Sequence, residues 1–412
     1  MPDFIRSDIT ITGAGPAGLT AAIALAKKGI PCLLIDKHHF PREKICGDGL
    51  SGKVISTLNR IDPAYVTALS NSGFATGSHA VRFYSPALKM MELSFQPGQA
   101  RMPSGFVCKR TDFDSFLMDI ALALPHLRFL GGTQVSKLNR KDGLIRIEDR
   151  AGKIIAETRL LLFAAGADKS LIGQLGPSYP SGAVAGIGVR GYFDNVSGSG
   201  QNHAIEIHFL KELLPWYLWI FPFSDGSANV GLALPEPLAK KNPLSLKELL
   251  FHLIEKYPHL EKRFAHAKLN GKIEASRLPY YTGAFRIAGD NYMLLGDAAR
   301  LIDPFTGEGV GNAMASGFMA AEISARCLEK NDFSYNCTRN YEMDVYTKLG
   351  PDLATGLKLQ GLAGRKALLN LVIGKASRHE KTRDMISEML YDTNAKRKLS
   401  KSLFYLKLLL GR

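Results

Sequence analysis

The chain is short of acid. Its 412 residues carry 38 Asp and Glu against 52 Lys and Arg, a formal charge of +14. That balance suits an anionic partner, whether a phosphorylated substrate, a membrane surface or nucleic acid. Cysteine is scarce as well. The five present, at positions 32, 46, 108, 327 and 337, are odd in number and show no C-x-x-C spacing. This argues against a disulfide framework and a zinc site, and for a reducing compartment. No apolar run approaches the ~18 residues needed to span a bilayer. The first strand-like run begins within ten residues of the N-terminus, which leaves no room for a signal peptide, so a cytoplasmic protein is expected. Internal repeats and low-complexity tracts are missing, which sets aside solenoid and linker architectures. What remains, 46% hydrophobic and 22% charged residues, is ordinary for a globular chain long enough for two domains and a buried core.

What is present is concentrated first in residues 8–49. An apolar run, Ile9 to Thr12, meets the turn Gly13-Ala14-Gly15-Pro16-Ala17-Gly18. Apolar residues at helical spacing follow from Leu19 to Lys28 and close at Gly29, and a second strand, Cys32 to Ile35, delivers Asp36. Each piece has a job in holding a dinucleotide. Gly13 makes the strand-to-helix turn, Gly15 lets backbone approach a pyrophosphate, and Gly18 lets the helix pack on the sheet with its N-terminal N–H groups toward the phosphates. Asp36 can accept hydrogen bonds from a ribose.

The loop from Lys37 to Ser51 leaves the tip of that second strand, close to a bound cofactor. Arg42 and Lys44 read equally as phosphate or ribose contacts and as a solvated surface pair. Cys46, beside Gly47 and Gly49, is either a thiol poised against a planar ring or a small buried hydrophobe. Further on, Val81–Ser85 and Leu88–Leu93 form a hairpin pattern, and Thr111 is placed to cap a helix that carries Phe113 and Leu117. Residues 127–164 alternate as three short strands, the last ending in Ala165-Gly166-Ala167-Asp168. Antiparallel sheet is expected over 184–192, 203–209, 216–221 and 228–234, with an amphipathic helix at 244–257. The run 291–299 is a buried strand tipped by Gly296-Asp297, and Pro304 to Gly311 leads into a long helix at 312–328. From 335 the pattern is helical. The cofactor domain is then discontinuous, residues 1–75, 104–178 and 280–330, with an antiparallel substrate domain, 76–103 and 179–279, inserted and a helical region, 331–412, appended.

Three of these motifs together resemble the FAD enzymes of the p-hydroxybenzoate hydroxylase fold. They are Gly13-x-Gly15-x-x-Gly18 with Asp36, the turn at Ala165 and Gly166, and Gly296-Asp297 with Pro304, Gly307, Gly309 and Val310. The resemblance implies FAD, a Rossmann-like α/β cofactor domain with an α+β substrate portion, and contacts from Asp297 to the ribityl chain. Arg110 matches an arginine that lies near the cofactor in that fold. Lys44-x-Cys46-Gly47-x-Gly49 and Pro215-Trp216-Tyr217-x-Trp219-x-Phe221-Pro222 narrow the branch, because they resemble the geranylgeranyl reductases, which saturate isoprenoid double bonds. That implies hydride from the flavin, a proton from a second group such as Cys46, and an apolar lipid as substrate. Tyr217, Trp219 and Phe221 alternate on one strand face. They read as a wall for an apolar chain or as plain sandwich core, and both tryptophans of the chain lie in this motif.

An FAD-dependent hydroxylase is the alternative reading, and a halogenase is disfavoured by Phe221 where that branch carries Ile. Two positions depart from the pattern. Lys169 follows Asp168, which bears on whether NAD(P)H or another reductant is the electron donor, and Asp48 replaces a small residue beside Cys46. From Gly361 to Arg412 there are twelve Lys and Arg against four Asp and Glu. A basic, apolar-faced terminal helix suits peripheral membrane contact or a packed helix with a solvated basic side. Nothing resembles a nucleic-acid-binding fold.

Overall fold

The strand Ile5–Thr12 sits in the middle of a mostly parallel sheet. It pairs in parallel with Ile154–Phe163 on one side, Ile9 opposite Leu160, and with Cys32–Ile35 on the other. The structure is a computed structural model that describes residues 4–94, 105–177, 179, 184–198, 200 and 202–391. Among these, the eight-stranded sheet continues outward to Leu127–Leu130 at one edge and to Tyr292–Leu294 and Ala288–Gly289 at the other. Its central strands are apolar on both faces because helices and loops cover both, which is why they lack alternation.

The helices Pro16–Lys27 and Val310–Glu329 pack against each other over this sheet. They approach closely at Gly317, where a Cβ would lie 2.1 Å from the Ala17 carbonyl oxygen. A seven-stranded sheet stands opposite, in the order Lys268–Leu278, Gly186–Asp194, Ala228–Pro235, Leu218–Pro222, Ile205–His208, Ala80–Tyr84 and Met90–Ser94. It is antiparallel except where Ile205–His208 runs parallel to Ala80–Tyr84. Its strands all fall within residues 76–103 and 179–279, those of the first sheet within 1–178 and 280–330.

Four differences from the sequence reading have local causes. Residues 127–164 hold four strands, since Asp142 and Gly143, both at positive φ, turn Lys137–Lys141 back on Leu144–Glu148. Asp-Gly is a preferred pair for such a hairpin. Thr111 is not a cap: the helix begins at Arg110, and its first N–H is taken by the Asp48 carboxylate at 3.3 Å. Short helices at Pro63–Ser70 and Pro258–Phe264, each opened by its proline, escaped the pattern. The C-terminal helices do not stand apart either. Tyr341, from Tyr335–Lys348, is buried in the cofactor-side core and donates to the Leu294 carbonyl, while Lys366–Ala376 lies on the Met90–Ser94 strand. The basic segment from Lys396 to Arg412 lies outside the described residues. No helix among the described residues is long and apolar enough to cross a membrane.

The helix contact at Gly317 is directly testable. Helix propensity alone would make Gly317→Ala stabilising by about 1 kcal/mol. The added methyl meets backbone, which cannot swing aside, so urea unfolding is expected to show a net loss of about 1–2 kcal/mol instead.

Candidate active site

A cavity of about 950 Å³ opens between the two sheets. One end is built on the first turn. Gly13, Gly15, Pro16 and Ala17 line it, and Gly18 stands behind, where a Cβ would collide with the Gly13 carbonyl oxygen at 1.9 Å. A Cβ on Gly15 would instead point into open space, with Arg42 Nη2 the nearest atom at 3.8 Å. Asp36 lies against this turn and accepts from the N–H groups of Ala14 at 2.6 Å and His38 at 2.8 Å. Lys37 and Lys44 lie on the same rim.

Arg42 is not a solvated surface residue. Its guanidinium donates to the Ala14 carbonyl at 3.0 Å and pairs with Asp114 at 3.1 Å, largely buried. Arg110 grips the same carboxylate with two hydrogen bonds, at 2.8 and 2.7 Å. Asp114 therefore aligns two cations beside the glycine turn. The sequence carried a signal for it that was passed over, the i, i+4 spacing of Arg110 and Asp114.

Ala165 and Gly166 line the cavity, and Asp168 caps the Lys169–Gln174 helix by accepting from the N–H groups of Ser170 and Leu171. Gly296, Asp297, Gly307, Gly309 and Val310 form the wall next to the long helix. Pro304 does not reach it. Its carbonyl accepts from Trp216 Nε1 and Gln360 Nε2, both at 3.0 Å, and so is held behind the surface. Lys53, Glu308 and Asp352 line this wall unforeseen: Ser51 bonds Glu308, and Lys53 pairs with Asp352 at 3.2 Å. No local pattern links residues 300 positions apart, and Asp352 comes from the helix Gly350–Ala363 of the C-terminal region.

The far end is apolar. Tyr217, Trp219 and Phe221 line it with Trp216, Val81, Phe83, Ile205, Ile207 and Phe209. The two indoles lie on glycine. A Cβ on Gly186 would fall 1.8 Å from Trp216, and one on Gly231 would fall 2.3 Å from Trp219. Where the two ends meet, Cys46 and Gly47 line the cavity, and the Trp219 indole nitrogen is 3.4 Å from a Cβ built on Gly47. Burial pushes the Cys46 thiol up, an effect that the Arg110 guanidinium beside it partly offsets and the Asp48 carboxylate reinforces. Asp48 itself is not on the wall. It is fully buried behind it at φ +65°, accepting from Tyr192 and Asn229, and burial raises its carboxyl to about 6.

The arrangement fits the dinucleotide that the motifs imply: open backbone at Gly15 and Gly166 where phosphates need close approach, cations beside it, and an acid at the ribose position. No cluster of three or more metal-ligating side chains occurs among the described residues. Because burial dominates at Cys46, its thiol is protonated at neutral pH. Alkylation of Cys46 by iodoacetamide is therefore expected to be slow at pH 7 and to accelerate through the alkaline range. The rate is read by peptide mass spectrometry, with the buried Cys32, Cys108, Cys327 and Cys337 as internal references.

Comparison with known proteins agrees with this geometry. Residues 6–143 match the family model described as an FAD binding domain. The digeranylgeranylglycerophospholipid reductase of Thermoplasma volcanium is 30% identical over 348 residues, 81% of this chain and 82% of that protein. A menaquinone reductase of Mycolicibacterium smegmatis is 27% identical over 77% of this chain and 76% of its own. Among solved structures, a geranylgeranyl bacteriochlorophyll reductase-like protein from Thermoplasma acidophilum superposes with a TM-score of 0.80 at 23% identity, over 91% of this chain and 92% of that one. Similarity of that extent, joined to glycine turns and an aromatic wall around one cavity, shows that the chain belongs to the geranylgeranyl reductase family of FAD-dependent oxidoreductases.

Proposed function

We propose that the protein saturates carbon–carbon double bonds in the prenyl chain of a lipid. The observation that carries this reading is the meeting of two unlike ends in one cavity: the dinucleotide end, with Gly15 and Arg42, continues into an apolar end lined by Trp219, Ile207 and Phe83, side by side across one sheet. Reductases of prenyl lipids among its relatives favour it.

When bound and reduced by the electron donor, the flavin would supply the hydride. The chain's own residues do the rest. Gly13, Gly15, Pro16, Ala17 and Arg42 would hold the pyrophosphate, with Gly18 packing the helix behind them, Asp36 would hold a ribose, Ala165 and Gly166 would line the cofactor, and Asp297 with Gly307, Gly309 and Val310 would hold the ribityl chain and the ring. Tyr217, Trp219 and Phe221 lay the apolar chain along the wall and keep water from the reacting carbons, a contribution through positioning. Cys46 holds a proton on Sγ, kept there by burial, at the junction where the chain passes. Arg110 lies next to that sulfur. The electron donor is NAD(P)H or another reductant. We assign the eight-stranded sheet to the cofactor domain and the seven-stranded sheet to the substrate domain, within the bounds set out above. We place the protein in the cytoplasm, with the basic C-terminus touching the membrane that holds its substrate.

A single anaerobic turnover tests the reaction. The flavoprotein is reduced chemically, a geranylgeranyl lipid is added, and the flavin absorbance and lipid mass are followed. Reoxidation without oxygen and a lipid heavier by two hydrogens per turnover are expected. A flavin that stays reduced until air enters, with oxygen then found in the product, would establish the hydroxylase instead. The cofactor assignment has its own test. A leucine at Gly15 projects into the space left for the pyrophosphate, so Gly15→Leu is expected to weaken FAD binding about 100-fold, measured by fluorescence titration, with little change in the fold.

A further inference from the structure

Behind the wall lies a hydrogen-bonded knot that the mechanism above does not use. Its centre is Asn229, fully buried on the strand Ala228–Pro235. Asn229 Nδ2 donates to the Cys46 carbonyl and to Asp48 Oδ2, both at 2.8 Å, and Oδ1 accepts from Trp219 Nε1 at 2.9 Å. The orientation of the amide is forced, because indole nitrogen only donates and the carboxylate and carbonyl only accept. Asp48 Oδ2 also accepts from the Tyr192 hydroxyl at 2.8 Å. Tyr192 and Phe221 are the register neighbours of Asn229 on the two flanking strands. None of Asp48, Tyr192 and Asn229 lines the cavity.

One amide of the seven-stranded sheet thus ties together the Cys46–Gly47 backbone of the loop after Cys32–Ile35, the buried Asp48 carboxylate of the same loop, and the Trp219 indole of its own sheet. Aspartate would lack the donors, leucine would lack every partner, and glutamine would be a methylene too long for this spacing. We infer that Asn229, acting with Asp48, is a positioning residue for the reaction, holding the Cys46–Gly47 loop at a fixed distance from the Trp219 ring. It sets where Cys46 Sγ stands relative to a chain lying along the aromatic wall. The inference rests on the cavity being the reaction site, but part of its test needs no lipid.

The electrostatics give that test its direction. Asp48 is faced by Asn229, Tyr192, Arg190 and Arg110, its charge is felt by the Cys46 and Cys108 thiols, and Lys109 and Arg190 lie over the Tyr192 ring. The hydrogen bonds from Asn229 and Tyr192 and the two arginines oppose the burial that raises its carboxyl to about 6. The Asp48 charge in turn raises the Cys46 thiol. Removing that charge makes the thiol more acidic, whereas removing the amide frees the loop and leaves a buried carboxylate short of donors.

The experiment compares Asn229→Leu, Asp48→Asn and Tyr192→Phe with the parent, all loaded with FAD. Thermal unfolding, the visible flavin spectrum, and the pH profile of Cys46 alkylation by iodoacetamide are recorded. Asp48→Asn is expected to alkylate about 10-fold faster than the parent at a fixed mildly alkaline pH, because more thiolate is present. Asn229→Leu is expected to change both the profile and the flavin spectrum. In the lipid reaction it should lower kcat about 100-fold with little change in KM, as displacement of a reacting group does. Folded, FAD-loaded variants with the parent's profile and spectrum would overturn the inference, whatever their thermal stability. Should Asn229→Leu fail to fold, parental profiles in both Asp48→Asn and Tyr192→Phe would overturn it equally. A parent enzyme inactive on prenyl lipid would sink the proposed reaction while leaving the alkylation result readable.

Discussion

The cavity exists because large aromatic rings lie flat on backbone that carries no side chain. Trp216 covers Gly186 and Trp219 covers Gly231, each at a distance that any Cβ would close. Cores are packed to crystal density, so a ring can lie in a sheet surface only where its neighbour on the next strand has been reduced to hydrogen. The rings in turn fix their surroundings. The Trp216 nitrogen holds the Pro304 carbonyl, and so the loop that leads into the long helix, while the Trp219 nitrogen holds Asn229.

The polar end follows a different rule. A +14 chain has no shortage of cations, yet those beside the glycine turn are not free. Arg42 and Arg110 share one buried carboxylate, Asp114, which fixes their guanidinium planes before any ligand arrives. Burying a cation without a partner is costly, so pairing is the condition for having a guanidinium at this depth. The shared acid lowers the net positive field but removes the entropy of ordering two long side chains, which favours selection by shape over attraction at long range.

Much of this was legible in the chain itself, where a motif is short and its parts are adjacent. The turn from Gly13 to Gly18, the acid at Asp36 and the alternation of Tyr217, Trp219 and Phe221 declare their geometry through local spacing, and the structure brings them to one cavity. Asp48 shows the limit. Its neighbours in sequence suggested a residue facing the cofactor, but the positive φ turns its carboxylate inward to Tyr192 and Asn229. Only the register of two strands brings those two side chains together. Pro304 was misplaced for a similar reason, since the indole and amide that hold its carbonyl come from residues 216 and 360. Lys53 and Asp352 meet across most of the chain, and no periodicity encodes such a pair.

That last pair bears on how the protein comes into being. Chains emerge from the ribosome N-terminus first, and domains tend to fold as they emerge. Here the glycine turn is made before the strand Ile154–Phe163 that pairs beside it, and Tyr292–Leu294 comes later still. The helix Gly350–Ala363, which braces the Pro304 carbonyl and sends Asp352 to the wall, is made near the end. The nascent chain therefore carries a recognisable dinucleotide turn for most of its synthesis without a finished site around it. Loss of the helix Gly350–Ala363 therefore removes part of the wall of a cavity whose glycine turn lies more than 300 residues earlier in the sequence.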